Sequence, residues 1–463
     1  MRSCSNMYVN QNGINVSNQK ATVMFVDMNC FFPSCEQQVN YWLRGRPVGV
    51  CVYTGKQGAV IALSKEAKKK GIKPARIDEI MKYHPEFVPL ETNPARYREF
   101  HVKIMKVLRE YCDDVIPKSI DEAVLNFGSY RLISKYKDLE KIALEIKKKI
   151  NKDVGDWFTC SIGIAPNAFL AKLASDIKKP NGLVSITPDT IDGILEKLSL
   201  TKLPGISTQM AKRLMIGGIH SPLDIRYSTP EKMHKACRSV IGEYWFHRLN
   251  FREVDIQTDD YKTMQAMRQI SKGQRQSIDT LFDILRALCV QLEKRMMKHE
   301  LKAHVLGFSC SYEDGGGYTD FIRSNTTFQG AIEMQDIILG RIKEKETENR
   351  GTKIITQDIT RMTIWVSEFS DSEYVQFALF GDTLRQDKLR KIVYSIKDQF
   401  GFEKIQLAGE LTETPVMKDV IGFGSIKDLL PEQRKVRVKL QEKIKHEQTV
   451  IPDEDFLNYS DRD

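Results

Sequence analysis

Three acidic residues stand at the ends of segments that the sequence predicts to be β-strands. Asp27 follows the apolar run ATVMFV, and Asp121 and Glu122 are adjacent in DDVIPKSIDEAVLNF, which we interpret as two β stretches that meet at this pair. Carboxylates from neighbouring strands supply the oxygen ligands that Mg²⁺ prefers, and two such ions about 4 Å apart can activate a hydroxyl and stabilise a leaving pyrophosphate. Acids at strand ends are also commonly solvated, so spacing alone leaves both interpretations open.

Lysines are concentrated in two segments that could neutralise phosphate groups. Lys65 and Lys68 belong to a short predicted helix, 64–70, and Lys178 and Lys179 directly precede Pro-Asn-Gly. Cations at such positions could stabilise the charge that moves onto the terminal oxygens of a triphosphate. A lysine-rich helix face that is only solvated is the alternative explanation.

A Leu-Pro-Gly-Ile turn, with Gly205 as its glycine, joins two short predicted helices within the all-helical segment 188–255. A tight turn of this kind exposes backbone N–H groups at a helix start, and these can bind a phosphate without reading a base. An ordinary helix hairpin has the same pattern, so the turn alone does not decide between the two.

Composition and charge restrict the class of protein. The chain has 463 residues, 41% of them hydrophobic, so it can build cores for roughly three domains. A formal net charge of +9 favours a polyanionic partner only mildly. No apolar run is long enough to span a membrane, and the polar first 20 residues do not resemble a signal peptide. The nine cysteines include no CxxC pair, so we expect a cytoplasmic protein without a zinc or disulfide framework.

Hydrophobic periodicity predicts an α+β chain in at least two parts. The first part alternates strands and helices around one sheet, and the segment 256–266 is polar and reads as a linker. The predicted elements of the first part are strands 21–28, 59–63 and 158–164 and helices 64–70, 95–112, 136–151 and 166–178. The second part has the order βαββαβ, with strands 267–271, 303–312, 318–324 and 359–367 and helices 277–298 and 328–346; helices 384–400 and 431–446 are predicted beyond it.

Four motifs together resemble those of the Y-family DNA polymerases, the lesion-bypass enzymes of the UmuC/DinB type. They are VDMNCFFPSCEQ, KSIDEAVLNF, SIGIAPNAFLAKLASDIKKPNG and LPGIS…AKRLMIGGI, in the order and approximate spacing of the family, over roughly residues 21 to 370. The segment IALSKEAKKKGIK is closer to the UmuC-like branch than to the DinB-like one.

The resemblance implies an α+β, right-hand polymerase fold with a ferredoxin-like palm, small fingers, a helical thumb with a helix–hairpin–helix turn, and a βαββαβ little finger. The implied division is a disordered lead-in 1–20, a palm of 21–31 and 98–187, fingers 32–97, a thumb 188–255, a linker 256–266, a little finger 267–368 and a C-terminal tail 369–463.

The resemblance also assigns roles at the active centre. Asp27, Asp121 and Glu122 match the ligands of two Mg²⁺ ions, for which Mn²⁺ can substitute, and Met28 matches the residue that lends a backbone carbonyl. The nucleotide-binding positions are Cys30 and Phe31, whose amides would hold the triphosphate; Phe32, the steric gate that rejects a 2′-hydroxyl; and Lys179, a triphosphate ligand. Ser119 and Glu36 lie within the motifs and receive supporting roles.

The fingers helix departs from the DinB-like pattern. Lys65 and Lys68 stand where that branch has a tyrosine and an arginine, and lysine cannot make the bidentate fork of arginine. We therefore expect a weaker grip on the triphosphate in the fingers. Ile61 and Ala62 would cover the nascent base pair, and small apolar residues there suit distorted templates.

Contacts to DNA and to a protein partner follow from the same resemblance. Gly205, Arg268, Lys302 and Arg323 are the implied DNA-binding residues. In the tail, Gln376, Leu379 and Phe380 form a Q-x-x-L-F pentapeptide like those with which bacterial DNA enzymes bind the sliding clamp. A strand or helix that packs its own apolar residues is the alternative explanation for this pentapeptide.

The implied function is template-directed addition of dNTPs to a primer 3′-hydroxyl by two-metal phosphoryl transfer. Low fidelity is expected because the sequence shows no second acidic cluster that would indicate a proofreading exonuclease. We expect a monomer that binds primer–template DNA, dNTP and the sliding clamp, does not bind a membrane, and joins the nucleoid when engaged. A catalytically silent DNA-binding protein is disfavoured by the intact carboxylates, and a nucleotidyl cyclase by the duplex-binding units that it would not need.

Overall fold

The computed structural model describes residues 20–56, 58–128, 138–255, 261–348, 351–371 and 383–400. The chain divides into two units, with the boundary after Gln257. The predicted clamp peptide (376–380), the predicted helix 431–446 and nearly all of the lead-in lie outside the described residues.

The apolar run that ends at Asp27 forms the central strand of a five-stranded sheet in the first unit. All six residues of this strand are buried, as expected for a strand covered on both faces. The sheet has the order β5-β6-β1-β7-β8, antiparallel except for the β7–β8 pair. Its strands are β1 Val23–Met28, β5 Val115–Ser119, β6 Glu122–Asn126, β7 Cys160–Ala165 and β8 Leu183–Ser185. The predicted strand 21–28 and the two β stretches at the Asp-Glu pair are confirmed.

Three helices accompany this sheet: α4 Pro94–Arg109, α5 Leu139–Lys149 with a π-helical turn Ile150–Val154, and α6 Ala168–Ile177. Helix α6 begins at Asn167, whose side chain accepts a hydrogen bond from the Leu170 amide, and it buries an apolar face on β1 and β7. A Cβ at Gly163 of β7 would lie 2.0 Å from the carbonyl oxygen of Ala171. Only glycine therefore allows α6 to approach the sheet this closely.

A smaller three-stranded sheet lies within residues 31–91. Its order is β3-β2-β4, with β2 and β4 parallel. The strands are β2 Val48–Cys51, β3 Val60–Leu63 and β4 Val88–Glu91, and the helices of this part are α1 Phe31–Val39, α2 Lys65–Lys69 and α3 Ile77–Tyr83. The predicted strand 59–63 and lysine-rich helix 64–70 are confirmed within one residue at each end.

The segment after β8 is helical, as predicted. Its helices are α7 Ile191–Leu195, α8 Thr208–Ile216, α9 Pro222–Arg226, α10 Pro230–Cys237 and α11 Ile241–Leu249, with a 3₁₀ turn at Leu200–Lys202. Gly205 has a φ of +84°, the left-handed region that glycine tolerates, and Ser207 caps α8 just after this turn.

The second unit has the predicted βαββαβ order. Its sheet runs β11-β10-β12-β9 with antiparallel neighbours. The elements are β9 Thr263–Gln269, α12 Ile278–Lys298, β10 Leu301–Tyr312, β11 Gly317–Phe328, α13 Ala331–Glu348 and β12 Ile359–Asp371, followed by α14 Thr383–Phe400. Strand β9 begins four residues earlier than predicted, because only Met264 and Ala266 mark its buried face. None of the helices described here is long and apolar enough to cross a membrane.

Candidate active site

The strand register places Asp27 directly opposite Glu122. The two residues pair across β1 and β6, and the Met28 amide donates a hydrogen bond of 2.9 Å to the backbone carbonyl of Asp121. Asp27 is only 5% exposed. The three carboxylates chosen from the sequence therefore lie at one end of the five-stranded sheet.

Lys172 of α6 connects two of these carboxylates. Its ammonium nitrogen lies 2.7 Å from Oδ2 of Asp27 and also donates to Oε1 of Glu122. Lys172 is not among the site residues predicted from the sequence. A signal was present, because this lysine is the one charged residue within the otherwise apolar run AFLAKLA, whose other members pack on the sheet.

A second lysine reaches the same carboxylate. The Nζ atom of Lys179 lies 2.8 Å from Oδ2 of Asp27 and 2.7 Å from Oδ1 of Asp176, so the predicted triphosphate ligand is brought to the predicted metal ligand. Two ammonium groups thus lie against one buried carboxylate oxygen.

Burial and these lysines shift the pKa values of the carboxyl groups in opposite directions. Burial alone would raise the pKa of Asp27, but Lys172 and Lys179 hold that pKa below its usual value. For Glu122 burial prevails over the attraction of Lys172 and, with Asp27 nearby, raises the pKa to about 7. The pKa of Lys172 is raised, because its two carboxylate partners outweigh the effect of burial.

The donor set is suited to a divalent cation. Asp27 and Glu122 already share one cation, the ammonium of Lys172, and carboxylate oxygens are the ligands that Mg²⁺ prefers. Asp121 accepts a hydrogen bond from the Ser119 hydroxyl, and burial raises its pKa. Across the described ranges, no three His, Cys, Asp or Glu side chains are grouped as a preformed metal site. Asp121 uses only Oδ1 for this hydrogen bond, so its second carboxylate oxygen could complete the donor set.

Backbone amides and a connecting asparagine form the next part of the site. Cys30 has left-handed backbone angles and is the N-cap of α1, so the predicted amides of Cys30 and Phe31 are among the first N–H groups of the helix, which no carbonyl of the helix can accept. Asn29 is a residue that the sequence analysis missed. Its Oδ1 accepts a hydrogen bond of 2.7 Å from the Asn181 amide, which ties the loop after Lys179 to the end of β1.

The predicted steric gate rests on an aromatic neighbour. The ring centroid of Phe32 lies 4.7 Å from that of Tyr97, which is fully buried in α4. Tyr97 lies beside Glu36, whose carboxylate forms an ion pair with Arg96. The ring behind Phe32 therefore lies next to a partly buried ion pair.

The residues predicted for the fingers occupy exposed and half-buried positions. Lys65 is the first residue of α2, and its ammonium lies 4.2 Å from the ring centroid of Trp157. Lys68 is exposed and forms no ion pair with any residue that the structure describes. On β3, Ile61 is 45% exposed and Ala62 is half-buried, so both are accessible to a ligand.

The predicted DNA contacts of the second unit differ in accessibility. Arg323 is exposed and ion-paired with Glu368. Arg268 stands opposite the buried Met362, on the helix-covered face of the sheet, and burial lowers its pKa. Lys302 is only 5% exposed. Lys302 is thus buried, Arg268 is half-buried and Arg323 is exposed, and all three phosphate contacts stay predictions.

A protein-family model, described as the impB/mucB/samB family, matches residues 26–176, which include the three carboxylates and Lys172. DNA polymerase IV from Pseudomonas aeruginosa (strain UCBPP-PA14) is 30% identical over 237 residues, 50% of this chain and 67% of that protein. DNA polymerase IV 1 from Bacillus subtilis (strain 168) is 26% identical over 427 residues, 90% of this chain and 99% of that protein. DNA polymerase IV from Sulfurisphaera tokodaii is 31% identical over 236 residues, and the match spans 64% of that relative's length.

Solved structures share the fold. A Y-family polymerase chimera, Dbh-Dpo4(243-245)-Dbh, has a TM-score of 0.62 at 22% identity and covers 75% of this chain and 98% of its own. An insertion ternary complex of Dbh DNA polymerase has a TM-score of 0.53 at 23% identity, with the same coverage. The predicted α+β polymerase fold is confirmed, and the assignment to the UmuC-like branch stays a prediction.

Proposed function

The chain belongs to the Y family of DNA polymerases, and we propose on this premise that it is a DNA-directed DNA polymerase of the lesion-bypass type. The observation that carries the proposal is the convergence of Asp27 and Glu122 with Lys172 and Lys179 at the end of β1. Relatives that match 90% and 50% of this chain are named DNA polymerase IV 1 and DNA polymerase IV. Their names support the substrate class, and the charges of the site support phosphoryl transfer.

The reaction is the attack of a primer 3′-hydroxyl on the α-phosphate of a dNTP. A new phosphodiester bond forms, the bond between the α- and β-phosphates breaks, and pyrophosphate leaves with the electron pair of that bond. Two divalent ions, held by Asp27, Asp121, Glu122 and the Met28 carbonyl, would activate the hydroxyl and neutralise the leaving group when bound. This assignment is supported by the donor chemistry of the site and by the motif register.

Residues of this chain position the triphosphate. The amides at the start of α1 and the ammonium of Lys179 provide donors that match phosphate oxygens. Lys179, which lies 2.8 Å from Asp27, would donate to an oxygen of the triphosphate, and Asp27 would be one of the residues that hold the ions. Phe32 would lie beneath the sugar and exclude a 2′-hydroxyl, with Tyr97 behind it.

The remaining assignments are parts of the same proposal. The five-stranded sheet would be the palm, residues 32–97 the fingers, the helical segment with the Gly205 turn the thumb, and the second unit the little finger. The exposed side chain of Ile61 suits an accommodating cover over the nascent base pair and hence low fidelity. Primer–template DNA and dNTP would be bound by a monomer in the cytoplasm, and residues 376–380 would bind the sliding clamp.

Primer extension tests the proposal. Purified protein should extend a primer on undamaged and abasic templates with Mg²⁺ or Mn²⁺. Asp121→Ala should abolish extension and leave DNA binding intact, because Asp121 contributes to chemistry and not to duplex contacts. Absence of extension by the unmodified chain with either ion, in the presence of the clamp, would refute the enzyme assignment and favour a silent DNA-binding protein.

A further inference from the structure

Trp157 lies at the junction between the five-stranded sheet and helix α1. Its indole Nε1 donates a hydrogen bond of 2.9 Å to Oε1 of Gln37, and its backbone amide donates one of 2.8 Å to Oε1 of Gln38. Both glutamines belong to α1, the helix that begins at the proposed triphosphate amides. Trp157 is therefore fixed to the helix that presents those amides.

Two cations lie over the indole of Trp157. The guanidinium carbon of Arg44 is 5.0 Å from the ring centroid, and the ammonium nitrogen of Lys65 is 4.2 Å from it. Arg44 is also held by Asp156 through two hydrogen bonds of 2.9 Å each. Lys65, in contrast, forms no ion pair within the described part of the chain, so the indole is its principal electrostatic contact.

The start of α2 is fixed by the same group of residues. Nε2 of Gln37 donates a hydrogen bond of 3.1 Å to Glu66, the residue after Lys65. Gln37 thus forms side-chain hydrogen bonds with both Trp157 and Glu66. These bonds connect helix α2, which carries Lys65, to helix α1. The side chain of Lys65 still has four rotatable bonds. The contact of its ammonium with the indole of Trp157 restricts the conformations of this side chain.

Trp157 is also close in the chain to the substrate segment. The backbone carbonyl of Thr159, two residues later, accepts a hydrogen bond of 2.8 Å from the amide of Asn29, which directly precedes Cys30. This hydrogen bond, together with the short stretch of chain from Trp157 to Thr159, connects the residue that contacts the Lys65 ammonium to the segment whose amides would receive the triphosphate. A lysine restrained in this way loses less conformational entropy when it binds a phosphate.

We propose that Trp157 is a positioning residue for the incoming nucleotide, because its indole orients Lys65 toward the triphosphate. The inference rests on the proposed polymerase function and extends it. Lysine at this position carries a flexible point charge, and the indole supplies the orientation that lysine lacks by itself. Loss of the indole should weaken nucleotide binding and leave the chemical step unaffected.

Single-nucleotide insertion kinetics test this inference with matched tryptophan variants. Trp157→Leu should raise KM for the correct dNTP by roughly 2- to 30-fold, the range that one cation–π contact spans, with kcat within about twofold of the unmodified chain. Trp157→Phe, which keeps an aromatic face, should restore most of the affinity. Trp42→Leu is the control, because Trp42 is 82% exposed and has no cation over its ring among the described contacts.

A double variant separates positioning from a general loss of structure. If Trp157 acts through Lys65, then Lys65→Met should raise KM by itself, and Trp157→Leu should add nothing in the Lys65→Met background. Additive effects on KM, a fall in kcat alone, or an unchanged KM in Lys65→Met would each overturn the inference. If Trp157→Leu fails to fold, Trp157→Phe replaces it: a small rise in KM that disappears in the Lys65→Met background supports the inference, and a rise that persists there overturns it. Absence of insertion by the unmodified chain would instead refute the polymerase proposal.

Discussion

The ammonium nitrogen of Lys172 lies 2.7 Å from Oδ2 of Asp27, and the same ammonium donates to Glu122. A side-chain cation thus joins two carboxylates that we propose as metal ligands. The side chain of Asp27 is 7% exposed, so the ion pair is poorly screened by solvent.

Lys172→Met should destabilise the metal-free protein by about 1–3 kcal/mol, because two partly buried carboxylates lose their shared donor. Added Mg²⁺ should recover part of this loss, since a divalent cation can replace the ammonium. Thermal denaturation with and without Mg²⁺ measures both effects. Lys103→Met is the matched control, because Lys103 forms an exposed ion pair with Glu99 on α4. Equal stabilities of the Lys172→Met and Lys103→Met variants would contradict the prediction.

Phe32→Ala should raise ribonucleotide incorporation by at least about tenfold relative to deoxyribonucleotides, because the ring that excludes the 2′-hydroxyl is removed. Tyr97→Leu should produce a smaller change of the same sign, since Tyr97 supports Phe32 from behind. The ratio of kcat/KM for dNTP to that for rNTP measures both. An unchanged ratio in Phe32→Ala would assign the sugar contact to another residue.

Gly163→Ala should destabilise the first unit by about 1–3 kcal/mol, because the new methyl group would meet the backbone of α6 at 2.0 Å. Gly193→Ala is the matched control. Gly193 lies in helix α7 with no atom within 4 Å of an added Cβ, so this change should be neutral or stabilising by up to about 1 kcal/mol. Urea denaturation compares the two, and equal midpoints would show that the contact between α6 and β7 is adjustable.

His101 should make the fold less stable in acid. It is fully buried, its Nδ1 lies 2.8 Å from the carbonyl oxygen of Ile120, and burial lowers its pKa below the usual 6.5. Below pH 6.5 the unfolded chain therefore binds a proton that the native chain does not, and stability falls as the pH decreases through this range. Glu122, with its raised pKa, acts in the opposite direction between pH 4.5 and 7.

The comparison of the unmodified chain with His101→Gln isolates the histidine from Glu122. Urea denaturation at pH 7.5 and pH 5.5 should show a smaller loss of stability in His101→Gln than in the unmodified chain. Identical losses in the two proteins would indicate that His101 becomes protonated without unfolding.

Gln376→Ala and Leu379→Ala should each weaken binding to the sliding clamp, because Gln can bond the rim of an apolar pocket that Leu and Phe fill. Pull-down of the clamp by the full chain measures this. Arg385→Ala, on an exposed position of α14, serves as a nearby control. If both clamp-peptide variants pull down as much clamp as the unmodified chain, the predicted role of residues 376–380 in clamp binding is wrong.

The sequence allowed the carboxylates to be identified, because each stands at the end of an apolar strand and within a motif of fixed order. The order of elements in both units was also predictable from hydrophobic periodicity. The contacts of Lys172 were not predictable, because a lysine on a helix is ordinarily solvated. Only the packing of α6 on β1 shows that this lysine is largely shielded from solvent. The partner of Lys65 was missed for the same reason, since Trp157 is 92 positions away in the chain. The burial of Lys302 depends on neighbours that no local pattern specifies.

The pairing of β1 on both sides has a consequence for how this gene can vary. Residues 23–28 form ladders with β6 and with β7, and successive side chains point to opposite faces. Substitution of one apolar residue by another keeps Asp27 in place. Deletion of a single codon within the strand would shift the register by one and turn Asp27 away from Glu122. Natural variants of this segment should therefore differ in residue identity while their length stays constant.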